Sequence, residues 1–240
     1  VAYLNELLDP GAYEDYGPQG LQVEGKPHVN KIVTGVSASL ELFRQAAARG
    51  ADMVIVHHGL FWDRDSRAVR GAMKKRLATL LENDISLVAY HLALDAHHGV
   101  GNNAVAARAL GLMALERFAT VGYWGKLPEP LDCRVVFNKV KILYDTNPLI
   151  FDYGPSNVEA IGFVSGGGAH HLQEGIALGL HVFVTGEPAE SSMHLAKESG
   201  IHFVAAGHYA TERLGIKALG EHIAQEFGIE VEFVDVPNPV

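Results

Sequence analysis

The order of apolar segments predicts an α/β fold: two α/β halves with mainly parallel sheets, joined by an irregular β-rich central segment. Three observations carry this. Over the first hundred residues, short β-branched runs alternate with stretches of helical period, the order that goes with a parallel sheet covered by helices. The same alternation resumes after residue 155. At three places a His or a carboxylate closes an apolar run, where an open α/β sheet gathers its ligand-binding groups.

Taken in order, the first half spans 1–110. Ile32–Val36 (IVTGV) and Met53–Val56 (MVIV) are β-rich, and Leu40–Arg49 between them is helical with Gly50 as its stop. Residues 68–83 set Val69, Met73, Leu77 and Leu80 or Leu81 at the period of an amphipathic helix. It leads into the buried strand Ser86–Tyr90, and Asn102 and Asn103 offer caps for an Ala-rich helix over 104–110. The connecting segment, 111–155, holds Pro128, Pro130, Pro148 and Pro155. Its β-rich pieces at Arg134–Asn138 and Val140–Tyr144 predict strands and loops with no long helix. In the last part, 156–240, strands are expected at Val158–Val164, His181–Thr185, Ile201–Ala205 and Glu230–Val234. Helices are expected at His170–Gly179, Ser191–Glu198 and Thr211–Phe227.

Composition sets further bounds. With 240 residues, 48% hydrophobic and 20% charged, the chain can bury a substantial core and does not read as disordered. A net charge of −9 disfavours nucleic acid as a partner, since affinity for phosphate backbones rests on clustered Lys and Arg. The single cysteine, Cys133, excludes an intrachain disulfide framework and a cysteine-rich zinc site, and its surroundings read as structural. No apolar stretch approaches a membrane span, and the N-terminal VAYLNELLDP lacks the basic start and apolar centre of a signal peptide. A cytoplasmic location is the expectation.

Three segments could grip a metal: VIVHHG, YHLALDAHHG and AAGHYATE. His57 and His58 close a strand, where the turning backbone lets adjacent imidazoles address two nearby points. Taken alone, a pair of loop histidines explains them equally well. Asp95, four residues after His91, can bind an ion or orient a ligating imidazole. For His91, His97 and His98, hydrogen-bonded roles are favoured over ligation. His208 and Glu212 form an i, i+4 pair that projects from one helix face, and Glu212 could bridge two ions. The competing reading is a surface His–Glu pair. Together the three segments supply three imidazoles and two carboxylates, a set suited to Zn, Mn, Fe, Co or Ni and too rich in nitrogen for calcium. Two such divalent ions, about 3.5–4 Å apart, would share and activate a water for hydrolysis. That predicts a dinuclear site between the two halves. Glu187, in TGE at the end of another strand, is assigned to proton transfer with His91; a helix-capping role is its alternative. In SGGGAHHL a tight turn is weighed against a backbone cradle for phosphate.

HHGLFW at 57–62, HLALDAHHGVGNN at 91–103, TGE at 185–187 and GHYATE at 207–212 together resemble the NIF-three-like family. Its bacterial, YbgI-type members are also called GTP cyclohydrolase I type 2 homologues. The resemblance covers essentially the whole chain. It implies a dinuclear centre on His57, His58, Asp95, His208 and Glu212, and a homohexameric ring with the metal sites facing an internal cavity. It also implies a metal-dependent hydrolase acting on a small molecule such as a nucleotide, with Arg64, Arg67, Arg70 and Arg213 the nearest candidates for phosphate recognition. The alternatives are a metal-stabilised ring that engages nucleic acid or a protein without catalysis, and a metal-handling role.

Overall fold

The computed structural model describes residues 1–240. The chain divides into two compact units, residues 1–94 with 216–237 and residues 95–215 with 238–240. Each has its own sheet and core. In the first, helix α1 (Ala2–Leu8) precedes β1 (Gly20–Val23), β2 (Lys31–Ser37), α2 (Leu40–Ala48), β3 (Met53–His58), α3 (Gly71–Glu82) and β4 (Ser86–Ala89). The Ser39 hydroxyl accepts from the Leu42 amide at 3.1 Å and starts α2, which buries Leu42, Phe43 and Ala46. A side chain on Gly35 would strike Leu42 at 2.7 Å, so glycine in β2 is what lets α2 lie this close. Leu80 of α3 is buried and Leu81 is 62% exposed, which decides between the two positions the sequence offered. Val69 lies outside α3 and is exposed.

After α4 (Leu92–Ala96), the second unit contains α5 (Asn102–Leu110), β5 (Met113–Phe118), β6 (Gly122–Asp132), α6 (Cys133–Tyr144), β7 (Leu149–Phe151) and β8 (Asn157–Val164). It continues with α7 (Leu172–Ala177), β9 (Val182–Thr185), α8 (Ser192–Ser199), β10 (His202–Ala205) and α9 (His208–Thr211). The sheet runs β5-β6-β8-β9-β10-β7, with β8, β9 and β10 parallel at its centre and antiparallel strands outside them. The expected connecting segment therefore sits inside this unit, because β5, β6 and β7 hydrogen-bond to its sheet. Pro128 and Pro130 are tolerated in β6 where its register with β8 shifts, between Lys126 and Leu131.

Residues 133–144, expected as strand pieces, are helical. The β-branched residues there favour strand locally, but Cys133, Val136, Phe137, Val140 and Tyr144 are buried at helical spacing. The Asp132 carboxylate accepts from the Arg134 amide at 2.8 Å and caps the start. Asn102 and Asn103 also differ from expectation: Gly101 is the N-cap of α5, and both asparagines are buried inside its first turn.

Helix α10 (Arg213–Phe227) leads back to the first unit, where β11 (Glu230–Phe233) lies parallel to β2. The sheet order there is β1-β4-β3-β2-β11, antiparallel only at β1 and β4. The expectation that the last strand belongs with 156–240 is thus corrected by its pairing. The helix expected over 211–227 is broken at Glu212, whose backbone (φ −104°, ψ 0°) leaves helical geometry. One core gathers Val33, Phe43, Val54, Leu80 and Leu87; the other gathers Val136, Val140, Ile161, Val182 and Val204. No helix is long and apolar enough to cross a membrane.

Asp52 ties the strand starts of the first unit together. Its carboxylate accepts from the amides of Asn30 (2.9 Å) and Lys31 (3.2 Å) and from Lys26 Nζ (2.9 Å). The Asn30 amide, helped by Lys26 and Lys31 against the effect of burial, holds this carboxyl below its ordinary value of 3.8. A group whose folded pKa is depressed stabilises above its unfolded pKa and loses that contribution as pH falls through the folded one. Asp52→Asn is expected to lower unfolding free energy by about 1–3 kcal/mol at neutral pH. In urea titrations the difference from wild type should shrink once pH drops below the carboxylate range.

Candidate metal centre

In the first unit, parallel pairing of β2, β3 and β4 aligns their C-terminal ends, so His57 and His58 at the end of β3 meet His91 just beyond β4. The three imidazoles each place a nitrogen within 4.8 Å of the others. Each Nδ1 has a partner. His57 Nδ1–H donates to the Tyr90 carbonyl at 3.1 Å, His58 Nδ1 meets Ser37 Oγ at 3.1 Å, and His91 Nδ1 meets Asp15 Oδ1 at 2.7 Å. A donating Nδ1–H leaves the lone pair on Nε2, the arrangement that second partners impose on metal-binding histidines. Burial pushes the Asp15 carboxyl up, but His91 and the amides of Leu92 and Tyr16 outweigh it and hold Asp15 below the ordinary carboxylate range.

Beside these rings, the Trp62 indole stands edge-on to His91 with centroids 5.3 Å apart. Trp62 also lines a pocket of about 240 Å³ together with Phe61, Val69, Met73 and Arg67. Asp63 and Asp65 line the same pocket beside Arg67, so its polar rim carries both signs of charge.

In the second unit, Ser165, Glu187 and His208 follow the C-terminal ends of β8, β9 and β10. His208 Nε2 lies 3.2 Å from Glu212 Oε1, and its Nδ1 hydrogen-bonds to Glu187. The hydrogen bond to Glu212, reinforced by Glu187 and opposed by burial, raises the His208 pKa to about 9. Gly166, at φ +62°, is where the chain passes this carboxylate; a Cβ there would come within 2.3 Å of Glu212 Oε1. Asp95 Oδ1 accepts from Asn102 Nδ2 at 2.8 Å and from Ser165 Oγ at 2.6 Å. Asp95 and Glu212 are both buried, and an oxygen of each lies within 4.8 Å of the other. Two carboxylates this close and this sheltered repel each other, and a bound cation removes the repulsion. Imidazoles held through Nδ1 and a buried carboxylate pair therefore fit divalent transition-metal ions.

The remaining histidines of the HLALD segment have other work. His97 Nδ1 accepts from the amides of Gly99 (3.2 Å) and Val100 (3.0 Å), and His98 is exposed. The glycine turn at 165–168 is directed inward: Gly166 N–H donates to Thr211 Oγ1 and Gly168 N–H to Thr185 Oγ1, which favours the tight turn over a phosphate cradle. Sequence reasoning missed Asp15, Ser37, Asn102 and Ser165. Ser165 was findable as the first polar residue after a strand, whereas Asp15, 76 positions from His91, carries no local signal.

A family model for Duf34/NIF3 (NGG1p interacting factor 3) matches residues 1–239. The protein of Haemophilus influenzae named GTP cyclohydrolase 1 type 2 homolog is 43% identical over 241 residues, covering 98% of this chain and 96% of that protein. A solved structure described as protein ybgI, of unknown function, superposes with a TM-score of 0.96 at 44% identity and covers 100% of this chain and 97% of its own. The structure of TTHA1606 from Thermus thermophilus gives 0.94 at 40% identity, covering 100% and 98%. This agreement over the full length, with the His and carboxylate segments at their expected strand ends, shows that the chain belongs to the Duf34/NIF3 family.

Proposed function

We propose that the protein is a hydrolase working with two divalent metal ions, held by His57, His58, Asp95, His208 and Glu212. The observation that carries this reading is the shared orientation of the histidines: at His57, His58 and His208 a partner sits on Nδ1, so each ring turns Nε2 away from its anchor. Divalent ions there would polarise an electrophilic carbon and lower the pKa of a water. The substrate class is a nucleotide or a related small molecule with a cyclic amide or amidine, in keeping with the flat aromatic surface that Trp62 offers beside His91. The name of the Haemophilus influenzae relative points the same way.

Asp95 is held on one oxygen by Asn102 and Ser165, which fixes the plane of its carboxylate. Glu187 acts through His208 and is a positioning residue in this scheme. His91, backed by the Asp15 carboxylate, is placed to take a proton at Nε2 while Asp15 stabilises the imidazolium through Nδ1. The ring-shaped homohexamer implied by the family resemblance is part of the same proposal.

Metal analysis of purified protein is expected to find about two ions per chain, and Glu212→Ala to lose most of both. Wild-type protein that stays metal-free when expressed with Zn, Mn or Fe supplied would sink the idea. Glu187→Gln is expected to weaken metal affinity by about 10–100-fold with an unchanged circular dichroism spectrum, and Glu187→Asp to recover part of it. Unaltered affinity in Glu187→Gln would remove the positioning role. Turnover by the reconstituted enzyme on nucleotides and cyclic amides, with Asp95→Ala as the blank, tests the reaction class.

A further inference from the structure

The second unit contains another group of metal-ligating side chains. Cys133, the first residue of α6, Asp152, just after β7, and His202, the first residue of β10, each bring a donor atom within 4.8 Å of the other two. His202 opens β10 opposite Val182, whereas the strand's far end, Ala205, lies opposite Thr185 and leads on to His208. The group is therefore at the N-terminal end of the parallel strands, the end away from Glu187 and His208.

The imidazole of His202 is fully buried and fixed. Its Nε2 lies 2.9 Å from the Pro155 carbonyl, so Nε2 carries the proton and donates, which leaves the lone pair on Nδ1. Nδ1 lies 2.9 Å from Asp152 Oδ1 and accepts from the Gly154 amide at 3.1 Å. Phe137 closes the ring edge-on, with centroids 5.1 Å apart, and a Cβ on Gly154 would meet the imidazole at 2.5 Å. Holding Gly154 and Pro155 in place requires the imidazole alone. It accounts for neither the thiol nor the carboxylate that converge on it.

We propose that Cys133 Sγ, Asp152 and His202 Nδ1 form a cation site for a borderline-soft divalent ion of the zinc type, separate from the His and carboxylate centre. A thiolate, an imidazole and a carboxylate are three protein ligands of the kinds zinc takes, with solvent as the fourth. The carbonyl of Pro155 behind Nε2 is the usual orienting partner. Asp152, 58% exposed, provides the way in from solvent, and the ion replaces the single hydrogen bond from Gly154. Binding releases the thiol proton. The ion would tie the start of α6, the 152–156 loop and the start of β10 together.

Cobalt(II) tests the proposal, because Cys133 is the only cysteine in the chain and thiolate-to-cobalt charge transfer can arise nowhere else. Metal-stripped, reduced full-length protein is titrated with Co²⁺ and followed in the near ultraviolet. Wild type and Glu212→Ala are both expected to develop the band, Cys133→Ser to lack it, and Zn²⁺ to abolish it by displacement. No band in wild type with cobalt in excess overturns the proposal. A band lost in Glu212→Ala overturns the separateness of the site. Should Cys133→Ser fail to fold, Asp152→Ala changes only an exposed side chain and is expected to weaken cobalt affinity at this band by at least about tenfold. An unchanged affinity in that variant counts against the site.

Discussion

Parallel hydrogen bonding is the constraint on which the rest of this protein depends. Strands paired in parallel end together, so whatever follows each strand is delivered to a common edge. In the first unit this gathers His57 and His58, the last residues of β3, with His91 just beyond β4; in the second it gathers Ser165, Glu187 and His208 beyond β8, β9 and β10. The antiparallel strands on the flanks of each sheet add width and core without changing where those ends fall.

Strand ends place side chains, and hydrogen bonds aim them. The Tyr90 carbonyl, Ser37, Asp15 and Glu187 each hold one Nδ1, and Asn102 with Ser165 holds one oxygen of Asp95. Groups of this kind could hold a metal ion, and a cation would relieve the repulsion within the buried carboxylate pair. The buried Asn102 shows how far this reaches: its amide donates to Asp95 while its carbonyl accepts from the Gly215 amide at 2.6 Å. One side chain thus anchors a site carboxylate to the backbone at the start of α10.

Much of the α/β order was legible in the sequence, because β-branched runs and helical spacing are local signals. Leu40–Ala48 and Met53–His58 stand where period and composition put them. The failure at 133–144 is instructive, since propensity and period disagree there and burial against β8 and the strands beyond it follows period. The assignment of β11 could not be read locally at all. Its partner β2 is about two hundred residues earlier, and no pattern in EVEF says which sheet edge it will complete.

For the site, residue type and position after apolar runs pointed to His57, His58, Asp95, His208 and Glu212 as candidate ligands, because such groups stand out against their neighbours. Residue order alone thus marked which side chains are candidate metal ligands and that parallel strands would gather chemistry at their ends. Only the tertiary structure decided what Asp15, Ser37, Asn102 and Ser165 do, that Glu187 bears on His208, and that Cys133 meets Asp152 and His202. Hydrogen bonds between side chains distant in the chain depend on where the backbone has already been carried, and that is determined by whole-sheet packing, which leaves no local trace in the order of residues.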